Sequence, residues 1–206
     1  MAVKKQKSKV DKQQSKDIRM LKRMIPVQRE VVNSTNSTIA QAATPVIMRF
    51  TPVGLDDQKL LIRGIDFRGS ITLPETSTPT DALFYRYIIL IYKCDVSHSA
   101  GTPSVTEPTA ADIMNLELNI QVATPNPDNS SRVRILYDSM YNLQPPNTYQ
   151  SSRSFKLFFK KPLNHFATSD RAFVHRPFLL KLSSQATALT NMTEDVNVDV
   201  HTTQLP

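Results

Sequence analysis

The 206-residue chain has no tryptophan, one cysteine, four glycines and four histidines, and each shortage closes off a class of function. With Cys94 alone it can form no internal disulfide and complete no cysteine-based zinc site. So few glycines leave no phosphate-cradling loop of the kind that nucleotide hydrolysis uses. His98, His165, His175 and His201 stand in no catalytic or metal-ligand spacing. Cys94 and His98 are four apart after a strand candidate, which fits a core thiol and a loop histidine better than a thiol–imidazole pair. Without a nucleophile, a base and a group to orient them, the expectation is a protein that is not an enzyme. No run approaches the roughly 18 apolar residues of a membrane span, so no membrane partner is expected. The N-terminal stretch also lacks the apolar segment of a secretory signal. The glycosylation patterns at Asn33, Asn36, Asn129 and Asn191 therefore read as coincidences of a Ser/Thr-rich chain.

Cationic charge is plentiful and confined to one place. Residues 1–29 carry ten Lys or Arg against Asp11 and Asp17, a net charge of +8, while the whole chain is +7 and the remainder therefore nets −1. Every aromatic residue lies between Phe50 and Phe178, so this arm has nothing to stack on bases or to build a core. Residues 1–14 are Lys/Gln-rich with almost no apolar side chain and are expected to be disordered. From 15 to 25 the pattern becomes amphipathic: Ile18, Leu21, Met24 and Ile25 fall on one side of a helix, Lys16, Arg19, Lys22 and Arg23 on the other. Ser15 serves as N-cap and Pro26 as stop. A helix this short needs a surface to lie on. The Asn-Ser-Thr run that follows reads as part of a linker over 30–43.

From residue 44 onward the pattern is that of strands separated by turn signals. VIMRF (46–50), QKLLIRGIDFRGSITL (58–73), ALFYRYIILIYK (82–93), RVRILYDSMYNL (132–143), SFKLFFKKPL (154–163), RPFLLKLS (176–183) and DVNVDVHT (195–202) are the main candidates; LELNIQV (116–122) and RAFV (171–174) are weaker. In the second segment both parities are partly apolar, and Gly64 and Gly69 suggest a bend or bulge. The third, dense in β-branched and aromatic residues, predicts a central strand covered on both faces. TAADIM (109–114) predicts a turn or two of helix capped by Thr109. The 14 prolines fall mostly between strand candidates. Seven to nine strands with hardly any helix predict an all-β sandwich or barrel. A loop as long as 94–108 suits a wrapped sandwich whose loops cover a neighbour.

Asp56-Asp57 and the group Glu194, Asp195, Asp199 could offer oxygen ligands to calcium between subunits, but solvated carboxylates are the better reading, and no cofactor is expected. The alternation of Asp195, Asn197 and Asp199 with valines predicts a half-exposed strand. The arm could serve as a nuclear localisation signal read by host import machinery, or bind an anionic membrane or acidic partner. Phosphate binding accounts for more of it, since both the lysines and the one cationic helix face are used. The residues assigned to this role are Lys4, Lys5, Lys7, Lys9, Lys12, Lys16, Arg19, Lys22 and Arg23.

A basic N-terminus, a short basic helix (DIRMLKRMIP) and then an all-β domain together resemble small single jelly-roll viral capsid proteins, those of satellite necroviruses and of circular single-stranded DNA viruses encoding a replication initiator. LLIRGIDFRGSITL, FYRYIILIYK, PTAADIMN, RVRILYDSMYNL and SFKLFFKKPLNH come in the same order as in the DNA-virus group, ILYD and KKPLNH being the most specific blocks. The resemblance implies an eight-stranded jelly roll over 44–206, two four-stranded antiparallel sheets face to face. It implies about sixty copies of the chain in a T=1 icosahedral shell, an inward arm that packages a single-stranded genome, DNA rather than RNA, and a virion location, with host nucleus or cytoplasm during assembly. The arm is lysine-rich and diluted by glutamine, where many members of the DNA-virus group have a longer, arginine-dominated one. Sixty arms at +8 supply about 480 charges, which neutralise only part of a genome of one to two thousand nucleotides, so basic groups on the inner wall or small cations must supply the rest. The alternative is a cellular nucleic-acid-binding β-barrel with a basic tail.

Overall fold

The computed structural model describes Gln14 and residues 28–38, 46–50, 60–73, 83–98, 103–115, 123–144, 147–164, 171–183 and 193–204. Nine strands run β1 (Gln28–Thr38), β2 (Val46–Arg49), β3 (Leu60–Thr72), β4 (Leu83–Ser97), β5 (Ser104–Val105), β6 (Val133–Leu143), β7 (Gln150–Asn164), β8 (Phe173–Ser183) and β9 (Thr193–Gln204), with one short helix, α1 (Ala110–Ile113), between β5 and β6. One sheet has the order β1-β9-β3-β7. In the other, β8 lies between β2 and β4, and the far edge of β4 pairs with β6 along Leu83–Tyr92 and with β5 at Val96–Ser97. All pairings are antiparallel. Among the eight long strands every connection passes from one sheet to the other, except β4 to β6, which are hydrogen-bonded neighbours. This wrapped order is an eight-stranded jelly roll, a sandwich and not a closed barrel.

Side-chain alternation explains how the layers form. Tyr85, Tyr87 and Ile89 of β4 point between the sheets, where they meet Ile65, Phe67 and Ile71 of β3 and Val196, Val198 and Val200 of β9. Phe67, Tyr85 and Tyr141 each pack edge-on against Tyr87. Ile88, Leu90, Tyr92 and Cys94 point the opposite way and form a second core with Val174, Phe178 and Leu180 of β8, roofed by Ile113, Met114 and Ala123. The predicted doubly covered strand is therefore β4, and its outer cover comes from its own chain. Of the loop at 94–108, expected to cover a neighbour, Val105 packs against this second core, as do Ala110, Ile113 and Met114 after it. Arg86 fastens this roof, with its guanidinium donating to both oxygens of Asp138 at 2.6 and 2.7 Å and to the Ala123 carbonyl at 2.9 Å. Thr109 caps α1 through a capping box with Asp112, as expected.

Three expectations need correction or refinement. The linker expected over 30–43 is strand β1 as far as Thr38, so the β-domain begins at Gln28 and not at 44. Its polar sequence carries no strand signal, but the outer edge of β9 has a row of backbone groups to satisfy and β1 pairs with it over Gln28–Thr38. The bulge in β3 is real: the register shifts between Ile62 and Gly64 against both neighbours, leaving Arg63 as the extra residue beside β9. That shift lets Ile62 and then Ile65 and Phe67 all be buried, although they sit on opposite parities. Finally, β9 is not simply half-exposed, because Asp199, expected on the solvent side, is only 2% exposed. The disordered stretch, helix and remaining linker expected over 1–27 and 39–43 lie outside the described residues apart from Gln14, which is helical and exposed, and so does the weak strand at 116–122.

Candidate nucleic-acid interface

The connections bring eight strand termini to one end of the sandwich. The start of β1 pairs with the end of β9, as Gln28 opposite Thr202, and the start of β3 with the end of β7, as Leu61 opposite Asn164. In the other sheet the end of β4 lies against the start of β8, as Asp95 opposite Phe173, and Tyr92 of β4 lies opposite Val133 at the start of β6. The mouth between the sheets there is a pocket of about 230 Å³ lined by the polar side chains of Lys93, Ser131, Arg132, Arg134 and His175 and the apolar ones of Ile91, Val133 and Leu163. Three of those eight are permanent cations. Its acidic neighbour Asp95 accepts from Arg132 at 2.6 Å. The Lys93 ammonium lies 4.0 Å from the centre of the half-exposed Phe173 ring. Partial burial, and then the Lys93 charge, push the His175 imidazole below its ordinary value.

Beside this mouth β7 bulges. Between Phe158, opposite Gly64, and Leu163, opposite Ile62, the strand accommodates Phe159, Lys160, Lys161 and Pro162 against the single Arg63. Pro162 has no N–H to give to the ladder, which is one reason the register breaks there. Phe159 packs on the inner core while Lys160 and Lys161 are exposed. The KKPLNH block thus places two lysines at the end of the sandwich from which residues 1–27 depart.

The opposite end carries a different balance. Glu194 at the start of β9 is 3% exposed, ion-paired with Lys181 at 2.8 Å and hydrogen-bonded by the Tyr87 hydroxyl. Burial, and then the Glu194 charge, push the Tyr85 and Tyr87 phenols far above the ordinary tyrosine value. A depression of about 470 Å³ on the outer face of the first sheet mixes Arg68 and Arg153 with Asp195 and serines. No group of three or more His, Cys, Asp or Glu among the described residues is placed to hold a metal ion. Of the carboxylates considered for calcium, Glu194 is engaged by Lys181 and Tyr87, Asp195 is exposed and Asp199 buried, while Asp56 and Asp57 lie outside the described residues. Cys94 is the core thiol expected; burial pushes its pKa up to about 12.

No known protein family matches the chain, and no curated protein does. Among solved structures it is similar to one of Desmodium yellow mottle tymovirus, with 11% identity and a TM-score of 0.33, over 88% of this chain and 91% of that one. It is similar also to one of the full particle of Israeli acute paralysis virus heated to 63 degrees, with 11% identity and a TM-score of 0.33, over 100% of this chain and 88% of that one. Likenesses at that level establish neither fold nor function, and the jelly roll rests on the strand order above.

Lys4, Lys5, Lys7, Lys9, Lys12, Lys16, Arg19, Lys22 and Arg23 all lie outside the described residues. What the structure gives is their point of departure, Gln28 at the head of an edge strand. The mouth cations Lys93, Arg132, Arg134, Lys160 and Lys161 were not singled out by sequence reasoning. They are spread over three strand candidates, and nothing local indicates that the termini converge.

Proposed function

We propose that this chain is the capsid protein of a small virus. About sixty copies join through their jelly-roll domains into a T=1 icosahedral shell, and the arm of each, through the nine cations from Lys4 to Arg23, packages a single-stranded genome, DNA in preference to RNA. The reading places the protein in the virion, with the arm also available to host nuclear import during assembly; it assigns no catalysis and no resident cofactor. The observation that carries it is one of topology: a wrapped eight-strand sandwich whose edge strand β1 follows an arm of net charge +7 over residues 1–27, at the end where Lys93, Arg132 and Arg134 line the mouth and Lys160 and Lys161 lie on the adjoining β7 bulge. A polyanion held by the arm would be met there by the cations that the charge count of the arm alone leaves wanting. The resemblance in block order supplies the shell geometry and the preference for DNA. Purified protein viewed by negative-stain microscopy and sedimentation should give uniform shells of about 20 nm, the size for sixty 23-kDa subunits at interior packing density. Only monomer under every salt and nucleic-acid condition would refute the proposal, and sequencing the copurifying nucleic acid would identify the strand.

A further inference from the structure

We propose that the ring of Phe158 is a platform on which a base of the packaged strand stacks, so that the β-domain as well as the arm touches the nucleic acid; this rests on the capsid reading. Among the described residues the large exposed apolar side chains are Phe158, 54% exposed, and Phe173, 43%. Phe173 already holds a cation, the Lys93 ammonium at 4.0 Å. Phe158 is more loosely engaged: the Lys156 ammonium stands over its ring at 5.8 Å from the centre while pairing with Asp66 at 3.1 Å.

The ring is held in place. Phe158 lies opposite Gly64 on β3, and Gly64 lies opposite His201 on β9, which lies opposite Arg29 on β1. A Cβ at Gly64 would come within 2.8 Å of Phe158 Cδ1 and 2.7 Å of the Leu157 carbonyl oxygen, so the ring occupies the space that the glycine leaves. The imidazole of His201 flanks it, centroids 4.9 Å apart and planes 39° from parallel. An aromatic opposite a strand glycine also shields the backbone, but leucine would do that as well and would not need a fixed, half-open π-face.

The surroundings select the occupant. Lys156, Lys160 and Lys161 lie within three residues of Phe158 along the chain and are exposed, Lys156 being paired with Asp66. The row ends at Arg29, the last of the ten basic residues, roughly 15 Å from Phe158 at three strand spacings. A single strand led out along the arm would thus meet a half-open aromatic face beside cations, the arrangement that binds bases by stacking and backbone by charge. The aromatic contact missing from the arm is supplied by the sheet beside it.

Because the chain has no tryptophan, Phe158→Trp installs a sole reporter at the site. Full-length subunits carrying it are titrated with oligo(dT), oligo(U) and linear inorganic polyphosphate, the last a polyanion without bases. Both oligonucleotides should quench the emission strongly, while polyphosphate binds and leaves it unchanged. Phe158→Leu, checked for native circular dichroism, should bind oligonucleotide roughly tenfold more weakly than the parent and polyphosphate equally well. Equal quenching by polyphosphate, unaltered oligonucleotide affinity in Phe158→Leu, or an emission change on self-association without nucleic acid would each overturn the platform, the last assigning Phe158 to a subunit contact. Tight oligonucleotide binding with a silent tryptophan removes this inference alone; failure to bind any polyanion removes the packaging role with it.

Discussion

Lys181 and Glu194 form an ion pair between the two sheets, with side chains 13% and 4% exposed, and neither charge can be deleted alone without stranding the other. Glu194→Gln keeps an acceptor for the Tyr87 hydroxyl but leaves the ammonium unpaired. It should cost about 3–5 kcal/mol in urea unfolding followed by circular dichroism, whereas the double change Lys181→Met with Glu194→Leu should recover most of that loss. His175 gives a pH signature of the opposite kind. Its pKa is lowered in the folded state, so the unfolded chain takes up the proton first as pH falls below about 6.5. The imidazole's contribution is thus intact above that pH and is lost as pH drops through the folded-state value. The urea midpoint of the parent should fall more between pH 7.5 and 5 than that of His175→Asn; parallel curves would show that other groups set the dependence. Neither effect is legible in the sequence. Lys181 sits in RPFLLKLS as an ordinary strand lysine, and Glu194 reads as a solvated loop carboxylate until the two sheets bring them together.

Elements were legible where periodicity was local and illegible where pairing was not. The apolar switch of parity across Gly64 foretold the β3 bulge, and the continuous aromatic and aliphatic run from Tyr87 to Tyr92 foretold a strand with two covered faces. NSTNST gave no such sign, because β1 owes its order to β9, the last strand in the chain. The β-domain boundary at Gln28 changes how the arm should be removed. Deleting 1–27 leaves β1 whole and removes nine cations. It should preserve the fold and cut the slope of log affinity for single-stranded nucleic acid against log salt by up to about 6, measured by fluorescence anisotropy at several salt concentrations. Deleting 1–38 strips the partner from β9 and exposes its valine-rich edge, so that protein should aggregate on expression. A stable, soluble product of the longer deletion would mean that β1 contributes little.

At the scale of the whole molecule, surface chemistry limits how copies can adhere. Among the described residues just two large apolar side chains are exposed, whereas durable subunit contacts are usually more apolar than ordinary surface. On the capsid reading, contacts built from the described surface would be polar and the arms' hold on a polyanion ionic, so both should weaken as salt rises. Shells sedimented in 0.1 M and then about 1 M NaCl should come apart to subunits together with loss of nucleic acid. Empty shells persisting at high salt would show that apolar contacts from other parts of the chain hold them. The pairing of β1 with β9 has one more consequence, in time and not in space. During synthesis the basic arm emerges before the β-domain, yet β1, the strand that follows it, gains its partner only when β9 has been made, about ten to thirty seconds later at ordinary translation rates. On the packaging reading, a truncated chain lacking β9 would carry the arm's cations without the paired strand that brings them to the basic mouth.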